Sequence, residues 1–493
     1  MIPQHEFFGR KQEIANLSRI LRLDTFQLIK ITGRRRIGKT EFVKFVRNQL
    51  QLNSDIIFHT PIESDIATNI EKLYLDLEET GKELPQIPGK KSIILTYYPI
   101  FQQIEQFFSG IVIDEYPRLH RAGQLAYPKL PKDKNPIDEI IKDYKENKLT
   151  NPSFKIILMG SEVSLMEDLD EGNRPLRGLF DSIIKLKPFK FYELQYFYPN
   201  KTFAELLDIF GYSDGIPLYL WKFKDSKLDN FWDWLSESII KDHSFWFSEI
   251  NSIIEADFSI HGTRYGAILD AIAKGKTRPY EILAELNLEK TGDITPYLQK
   301  LLRTNIIVEE FPINDLYRPP HTSKPRKLKN GIYRLSDNFI TFWFRFIKTT
   351  EALDPARITK FIQEGYSDYL GKVFERACRE IIAKSTDYPY IGRWWGKIDQ
   401  VMEECDILAF DPPKNEALLG ICKWTRKPQN PNTLMKQAIR YEDHILYNRK
   451  ARDMTYKYLI FSKNLEFEID RFDGREVECY DVETLHTLMK TLI

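Results

Sequence analysis

The sequence predicts an α/β protein whose N-terminal part is a parallel β-sheet covered by helices on both faces. Three observations support this class. Apolar, strand-like segments alternate with helical stretches over residues 1–205, a Gly-containing octapeptide at 33–40 lies between a strand and a helix, and strands and helices alternate again after residue 351. Such alternation is typical of parallel sheets, because parallel strands need long crossover connections that are usually helical.

Short apolar segments are the predicted strands of the N-terminal sheet. They lie at residues 26–32, 55–58, 110–115, 154–160 and 182–186. Each is too short for a buried helix and is rich in Ile, Leu, Val or Phe. Strands that read as nearly continuous apolar runs are buried on both faces, so we expect helices on both sides of this sheet.

A complete phosphate-binding P-loop follows the first strand, with the sequence Gly33-Arg34-Arg35-Arg36-Ile37-Gly38-Lys39-Thr40. The two glycines allow backbone amides to approach phosphate oxygens closely, and the positive end of the next helix adds to the attraction. Lys39 is expected to reach the β and γ phosphates, and the Thr40 hydroxyl to ligate Mg²⁺. The octapeptide therefore predicts a nucleoside triphosphate as ligand, with Mg²⁺ as its metal ion.

The predicted nucleotide-binding segment ends at Thr40. The next residue is Glu41, so the loop has no second threonine after Thr40. Glu41 opens the helical stretch that follows the loop, and we leave it out of the nucleotide-binding set.

Two carboxylates end the predicted strand at 110–115. Asp114 is the expected metal-holding residue, and Glu115 is the expected general base that orients or deprotonates the attacking water. Ser161, directly after the strand at 154–160, could offer a polar contact to the γ phosphate or the water, although serine after glycine is also common in turns. With Lys39, these residues form the predicted catalytic set.

Phosphoryl transfer also calls for an arginine that neutralises transition-state charge. Arg174 and Arg177 are candidates, and so are the three arginines of the P-loop. The sequence does not rank them. An assembly of identical copies is also left open, since a neighbouring copy could supply the arginine.

The rest of the chain divides into three predicted parts. Residues 206–262 are helical and rich in aromatic side chains, for which packing is the favoured role. Residues 263–350 read as three helices and a hairpin, the order of a winged helix, whose wing would hold the basic run at 324–329. Such a run is usually a solvated loop, but it could also contact a nucleic-acid backbone. Residues 351–493 form a further α/β domain.

Composition limits the classes of partner. Lys plus Arg and Asp plus Glu both total 71, so any nucleic-acid contact must come from a local patch. The four cysteines have neither zinc spacing nor the density of a disulfide scaffold, which fits a reducing compartment. No apolar run approaches the roughly 18 residues that span a bilayer, and no signal peptide is evident. We expect a soluble, cytoplasmic protein without membrane contact.

With these residues in view, the chain resembles archaeal P-loop ATPases of the AAA-like group, near the signal-transducing STAND class, that carry a winged helix and a restriction-endonuclease-like C-terminal region. The opening box Phe7–Glu13, the Arg-rich P-loop and Gly215-Ile216-Pro217 match the order of motifs in that family. The resemblance implies that the nucleotide is ATP or ADP, that Gly9 and Arg10 lie beside adenine and ribose, and that Pro217 belongs to the lid and touches the base.

The resemblance also implies a nuclease-like C-terminal site. Nucleases of that type place an acid on one strand and an acid-x-lysine on the next, for which Asp406 and Lys423 fit, with Glu375 as a helix acid. Those nucleases usually have a glutamate two residues before the lysine, but this chain has Ile421 there, and isoleucine cannot bind metal. Glu404 could replace that glutamate as a metal ligand from a shifted position. We therefore expect that the C-terminal domain has the nuclease fold but serves binding or assembly, and that it is not an active nuclease.

Three functions remain as hypotheses. The first is a Mg²⁺-dependent ATPase whose nucleotide state moves the lid and the winged helix, as a timer or motor. The second is a nucleotide-gated DNA-binding switch with little turnover, in which the winged helix contacts DNA. The third is a metal-dependent nuclease directed by the ATPase.

Overall fold

The protein is described here from a computed structural model, which describes residues 7–52, 55–81, 93–131, 133–147, 151–241, 244–257, 263–317, 331–350, 354–442, 444 and 454–493. The chain forms two compact units, Met1–Pro188 (unit 1) and Phe189–Ile493 (unit 2). Each unit is described by itself. The predicted limits at residues 205, 262 and 350 stay predictions.

Unit 1 is an α/β domain with a parallel sheet in the order β2-β3-β4-β1-β5. The predicted fold class is confirmed, and each predicted strand is present to within two residues at either end. The strands are β1 (Gln27–Thr32), β2 (Ile56–His59), β3 (Gly110–Ile113), β4 (Lys155–Gly160) and β5 (Ser182–Lys185).

Helices cover both faces of this sheet. They are α1 (Lys11–Leu21), α2 (Lys39–Gln49), α3 (Ile66–Glu78), α4 (Ile93–Phe107), α5 (Tyr116–Ala126), α6 (Pro136–Asn147) and α7 (Val163–Asp168). Side chains alternate across the strands. Leu28 and Ile156 enter one core with α3 to α6, whereas Ile29 and Ile157 enter a second core with α1 and α2. These two cores explain the nearly continuous apolar strands.

The strand order places the predicted site residues at one edge. Because all strands run parallel, their carboxyl ends share one edge of the sheet. β4 lies between β1 and β3. The P-loop after β1, the carboxylates after β3 and the serine after β4 are therefore neighbours.

Unit 2 begins with a helical region whose core is aromatic. Its helices are α8 (Phe203–Ser213), α9 (Pro217–Asp225), α10 (Phe231–Trp234) and α11 (Ser244–Asp257), with a π-helical turn at Leu235–Lys241. Trp234 packs against Tyr212 with ring centroids 4.3 Å apart, and Trp246 packs against Phe339 at 5.6 Å. Both tryptophans are buried, in agreement with the packing role predicted for these aromatics.

The next region contains three main helices followed by two antiparallel strands, the predicted order. They are α12 (Thr263–Ala273), α13 (Pro279–Glu285), α14 (Thr295–Arg303), β6 (Ile307–Glu310) and β7 (Ile332–Leu335), with the short α15 (Ile313–Leu316) between the strands. α16 (Asn338–Phe342) and a π-helical turn at Trp343–Ile347 follow. The basic run at 324–329 lies outside the described residues.

The C-terminal part of unit 2 is a mixed sheet in the order β12-β13-β11-β10-β9-β8, preceded by the long α17 (Pro355–Ser385). The strands are β8 (Tyr390–Ile398), β9 (Val401–Asp411), β10 (Glu416–Lys423), β11 (Thr455–Ser462), β12 (Arg471–Phe472) and β13 (Arg475–Tyr480), with helices α18 (Pro431–Ile439) and α19 (Val482–Lys490). Within the described ranges, no helix has both the length and the apolar character that crossing a membrane requires.

Candidate functional site

The P-loop of unit 1 is a tight turn between β1 and α2. A Cβ at Gly33 would lie 2.6 Å from the Leu186 carbonyl oxygen, so only glycine fits there. Arg36 and Gly38 have positive φ angles of 68° and 84°, and α2 begins directly afterwards at Lys39. The backbone thus makes the sharp strand-to-helix turn that a P-loop needs, with the helix amino terminus beside it.

Lys39 lies inside the turn. Its ammonium group donates hydrogen bonds to the carbonyl oxygens of Gly33 at 2.8 Å and Arg34 at 3.2 Å, and only 6% of the residue is exposed. Burial lowers the pKa of Lys39 to about 8, against the opposing charges of Glu115 and Asp114. A buried cation held only by carbonyl dipoles and nearby carboxylates favours an incoming anion.

Thr40 and Asp114 form the contact predicted for a metal site. The Thr40 hydroxyl donates to the Asp114 carboxylate at 2.6 Å, and the Glu115 amide donates to the other Asp114 oxygen at 3.0 Å. Burial raises the pKa of the Asp114 carboxyl, although the hydrogen bond from Thr40 opposes the shift. A hydroxyl and a carboxylate side by side are hard oxygen donors, the ligand type that Mg²⁺ takes in nucleotide sites. The donor set therefore fits the predicted ion.

Position 41 does not contribute a second hydroxyl to this donor set. The residue at this position is Glu41, which has a carboxylate and no hydroxyl. Its side chain is 44% exposed, and its carboxylate lies 3.7 Å from the Lys44 ammonium group on the same helix. Glu41 thus forms a surface ion pair of α2, and Thr40 is the last loop residue that can take part in nucleotide binding.

Glu115 and Ser161 are joined by hydrogen bonds. The Ser161 hydroxyl donates to the Glu115 carboxylate at 2.8 Å, and the Ser161 amide donates to the same oxygen at 3.3 Å. Glu115 has a φ of 56°, and α5 starts immediately after it. The serine at the end of β4 thus orients the carboxylate at the end of β3, a contact that the sequence did not specify.

Arg10 lies against the P-loop. Its guanidinium donates to the carbonyl oxygens of Ile37 at 3.0 Å and Lys187 at 3.2 Å. Gly9 and Arg10 both have left-handed backbone angles before α1. These bonds tie the start of the chain to the loop, so Arg10 supports loop geometry. The contacts of Gly9 and Arg10 with adenine and ribose stay predictions, and so does the contact of Pro217, which is the first residue of α9 in unit 2.

The arginine that would complete the site stays unassigned. Arg174 pairs with Asp168 at 3.2 Å, and Arg177 donates to the Gly172 carbonyl oxygen at 2.8 Å, so both are engaged near α7. Arg121 on α5 is a further candidate that the sequence reasoning missed. It pairs with Glu162, the residue directly after Ser161, and its only sequence signal is its position on the helix that follows Glu115.

Unit 2 holds a second group of predicted site residues. Glu375 from α17 and Glu404 and Asp406 from β9 offer carboxylate oxygens that all lie within 4.8 Å of one another. Asp406 also accepts a hydrogen bond from the Cys422 amide at 2.8 Å. The suggestion that Glu404 joins from a shifted position is therefore consistent with the geometry. We call these three residues the acid cluster.

Strand alternation places Glu404 and Asp406 on the same face of β9. The register between β8 and β9 shifts between Gly392 and Trp394, opposite Asp406. Cys405 and Ile421 both belong to the hydrophobic core of this sheet. Asp406, adjacent to Cys405, therefore points away from that core, toward α17. Position 421 faces the core, so an acid there would not have joined this cluster.

Cations compensate the acid cluster. Lys372 lies 3.0 Å from Glu375 and 3.8 Å from Glu404, and Arg393 lies 2.8 Å from Glu404. Burial, reinforced by the charge of Asp406, raises the pKa of Glu375 to about 7. Burial also raises the pKa of Asp406, and the charge of Lys423 only partly opposes this. The cluster can hold a hard cation, or it can remain a network of ion pairs.

Comparisons with known proteins extend these observations. Residues 7–223 match a family described as an ATPase domain predominantly from Archaea, and residues 343–437 match a family of archaeal and bacterial proteins of unknown function. The chain is 31% identical over 430 residues to an uncharacterised protein of Methanocaldococcus jannaschii, and the match covers 85% of this chain and 87% of that protein.

The chain is also similar to two solved archaeal structures. ORC2 of Aeropyrum pernix, in complexes with ADPNP and ADP, is 14% identical with a TM-score of 0.43, over 73% of this chain and 94% of that one. CDC6P of Pyrobaculum aerophilum is 12% identical with a TM-score of 0.37, over 74% of this chain and 96% of that one.

Proposed function

This chain belongs to a family of archaeal ATPases, and from that premise we propose that unit 1 binds ATP with Mg²⁺ at residues 33–40 and hydrolyses it. The contact network of Lys39, Thr40, Asp114, Glu115 and Ser161 at one sheet edge carries this proposal. These are the groups that phosphate binding, metal binding and water activation require.

Each side chain has a separate task in the proposed reaction. The loop amides and Lys39 hold the phosphates, and Lys39 exchanges its carbonyl contacts for phosphate oxygens. Thr40 and Asp114 would hold Mg²⁺, which neutralises phosphate charge when bound. Glu115, oriented by Ser161, accepts the proton of the attacking water. Because α5 starts immediately after Glu115, a change at this carboxylate would be passed directly to a helix.

Two variants test the proposal. Lys39→Ala should abolish nucleotide binding measured by calorimetry, whereas Lys44→Ala, on the exposed face of the same helix, should leave it unchanged. Glu115→Gln should bind ATP but release phosphate at least about 100-fold more slowly, the usual contribution of a general base. Nucleotide binding without phosphate release by the wild type would favour the switch with little turnover, and no binding at all would reject the proposal.

The coupling of nucleotide state to unit 2 forms part of this proposal. Helices α12, α13 and α14 are followed by the antiparallel strands β6 and β7, an order that supports a winged helix that contacts DNA. DNA affinity measured with and without ATP tests the coupling. Equal DNA affinity with and without ATP would reject the coupling but would not affect the proposed ATPase activity.

A metal-dependent nuclease is the second candidate function, and the acid cluster favours it. Three carboxylates within 4.8 Å can hold a divalent ion that helps water attack a phosphodiester. Incubation of plasmid and linear DNA with Mg²⁺ or Mn²⁺ should produce cleavage that Asp406→Asn abolishes and Glu416→Gln preserves. DNA that stays intact with the wild type would reject this function.

A further inference from the structure

A large open cleft in unit 2 has a strong excess of positive charge. Its volume is about 1090 Å³, and its walls come from the end of α12 with the following turn, β7, α17, and parts of β8 and β9. Ten Lys or Arg residues and six Asp or Glu residues line it, whereas the whole chain has equal numbers of each. The cations are therefore concentrated in this cleft, as expected of a local anion-binding surface.

Three of these cations make no ion pair with any residue that the structure describes. Arg278 donates only to the Met402 sulfur at 3.9 Å, Arg379 donates to the Asp406 carbonyl oxygen at 2.9 Å, and Lys384 is exposed. These charges gain more from an external anion than paired surface cations would.

The cleft differs from a pocket for a small molecule. Its volume lies near the upper limit of the roughly 300–1,000 Å³ of drug-sized sites, but ten cations and six acids line it, whereas drug-sized sites are mostly apolar. Two tyrosines that are not buried, Tyr192 and Tyr280, interrupt the basic surface, and Tyr280 is 62% exposed. A basic groove with interspersed aromatic rings is typical of sites for single-stranded nucleic acid, where phosphates meet cations and bases stack on rings.

We propose that this cleft binds a segment of single-stranded nucleic acid through its phosphate backbone. Arginines outnumber lysines among the lining cations, and the planar guanidinium matches phosphate better than an ammonium does. Single strands fit better than duplexes, because bases reach aromatic side chains only when they are free of a partner strand. The acid cluster borders the cleft through Glu404, so the bound backbone passes close to it.

This inference goes beyond the proposed ATPase function, since the cleft lies within unit 2 and binding needs no hydrolysis. It also differs from a contact through the predicted wing, whose basic run at 324–329 is a separate segment of the sequence. The two surfaces can therefore be tested separately by substitution.

The test uses the full-length chain without nucleotide and a fluorescein-labelled oligo-dT of about 15 nucleotides, within the usual site size for single strands. Anisotropy titrations at several salt concentrations compare the wild type with Arg278→Gln/Lys384→Gln. The matched control is Lys436→Gln/Lys490→Gln, which neutralises exposed lysines of α18 and α19 away from the cleft. Neutralising two phosphate contacts should reduce the salt slope by about 1.4 and the affinity at about 0.1 M salt by about 25-fold.

The control variant and Lys39→Ala should bind like the wild type, which keeps this test independent of the ATP site. Binding by the cleft variant within twofold of the control would overturn the proposal, and so would no saturable binding of the oligonucleotide. Equal or tighter binding of the matching duplex would also overturn it. Displacement by polyglutamate at equal charge would point to an acidic peptide instead.

Discussion

The lowered pKa of Lys39 makes nucleotide affinity depend on pH. In the folded protein without nucleotide this pKa is about 8, against a usual value of 10.5. Phosphate binding needs the ammonium form, and the charge of the bound triphosphate should raise the pKa again. Affinity for ATP is therefore expected to stay constant below about pH 7.5 and to fall as the pH rises above about 8.

The size of the effect follows from the shift. At pH 9.5 only about 3% of a group with a pKa of about 8 carries its proton, so affinity should fall about thirtyfold, or about 2 kcal/mol. The same shift has the opposite sign for stability without nucleotide. The buried ammonium costs up to about 3 kcal/mol below about pH 8, and this cost disappears as the pH rises toward 10.5.

Calorimetric titration of ATP between pH 6.5 and 9.5 measures this dependence. Two buffers with different ionisation enthalpies report proton uptake, which should approach one proton per nucleotide at pH 9.5 and zero at pH 6.5. Lys44→Met, on the same helix but about half exposed, should keep the wild-type profile. Affinity that stays flat up to pH 9.5, or proton uptake that is absent at pH 9.5, would refute the assignment of Lys39.

Two further predictions concern a hydrogen bond and a glycine. Ser161→Ala removes the hydroxyl that donates to Glu115, so kcat for ATP should fall at least about tenfold while KM changes little. Unchanged kcat, with Ser161→Thr as the conservative control, would contradict this role. Gly215→Ala places a Cβ 2.0 Å from the Phe189 carbonyl oxygen at a φ of 71°, whereas Gly474 has a φ of 78° with open space around it. Scanning calorimetry should show a Tm loss of roughly 5 °C or more for Gly215→Ala and about 2 °C for Gly474→Ala, and equal losses would contradict the steric argument.

The sequence alone predicted the ATPase fold of unit 1 and the members of its candidate site. Parallel strands read as apolar runs, and the P-loop is a continuous segment whose function depends on local backbone geometry. Asp114 and Ser161 could be placed beside it because residues that follow parallel strands meet at one sheet edge. Local sequence was sufficient here because each group belongs to a strand end.

The pairing of individual side chains required the tertiary structure. The bond from Ser161 to Glu115 and the contacts of Arg10 with the loop join residues that are distant in the chain. Sequence order predicts that such residues are near one another, but it does not predict which atoms bond. The direction of Arg10 toward loop carbonyl oxygens is an example.

Unit 2 depended still more on tertiary structure. The family pattern directed attention to Ile421, yet that side chain lies in the core. Glu404 and Asp406 lie on the opposite face of β9, toward α17, and a register shift after Asp406 returns Leu408 to the core. A bulge has no clear signature in a single sequence, because it is decided by pairing with another strand. The basic cleft has the same origin. Its cations come from segments far apart in a chain with no net charge, so only folding could concentrate them on one surface.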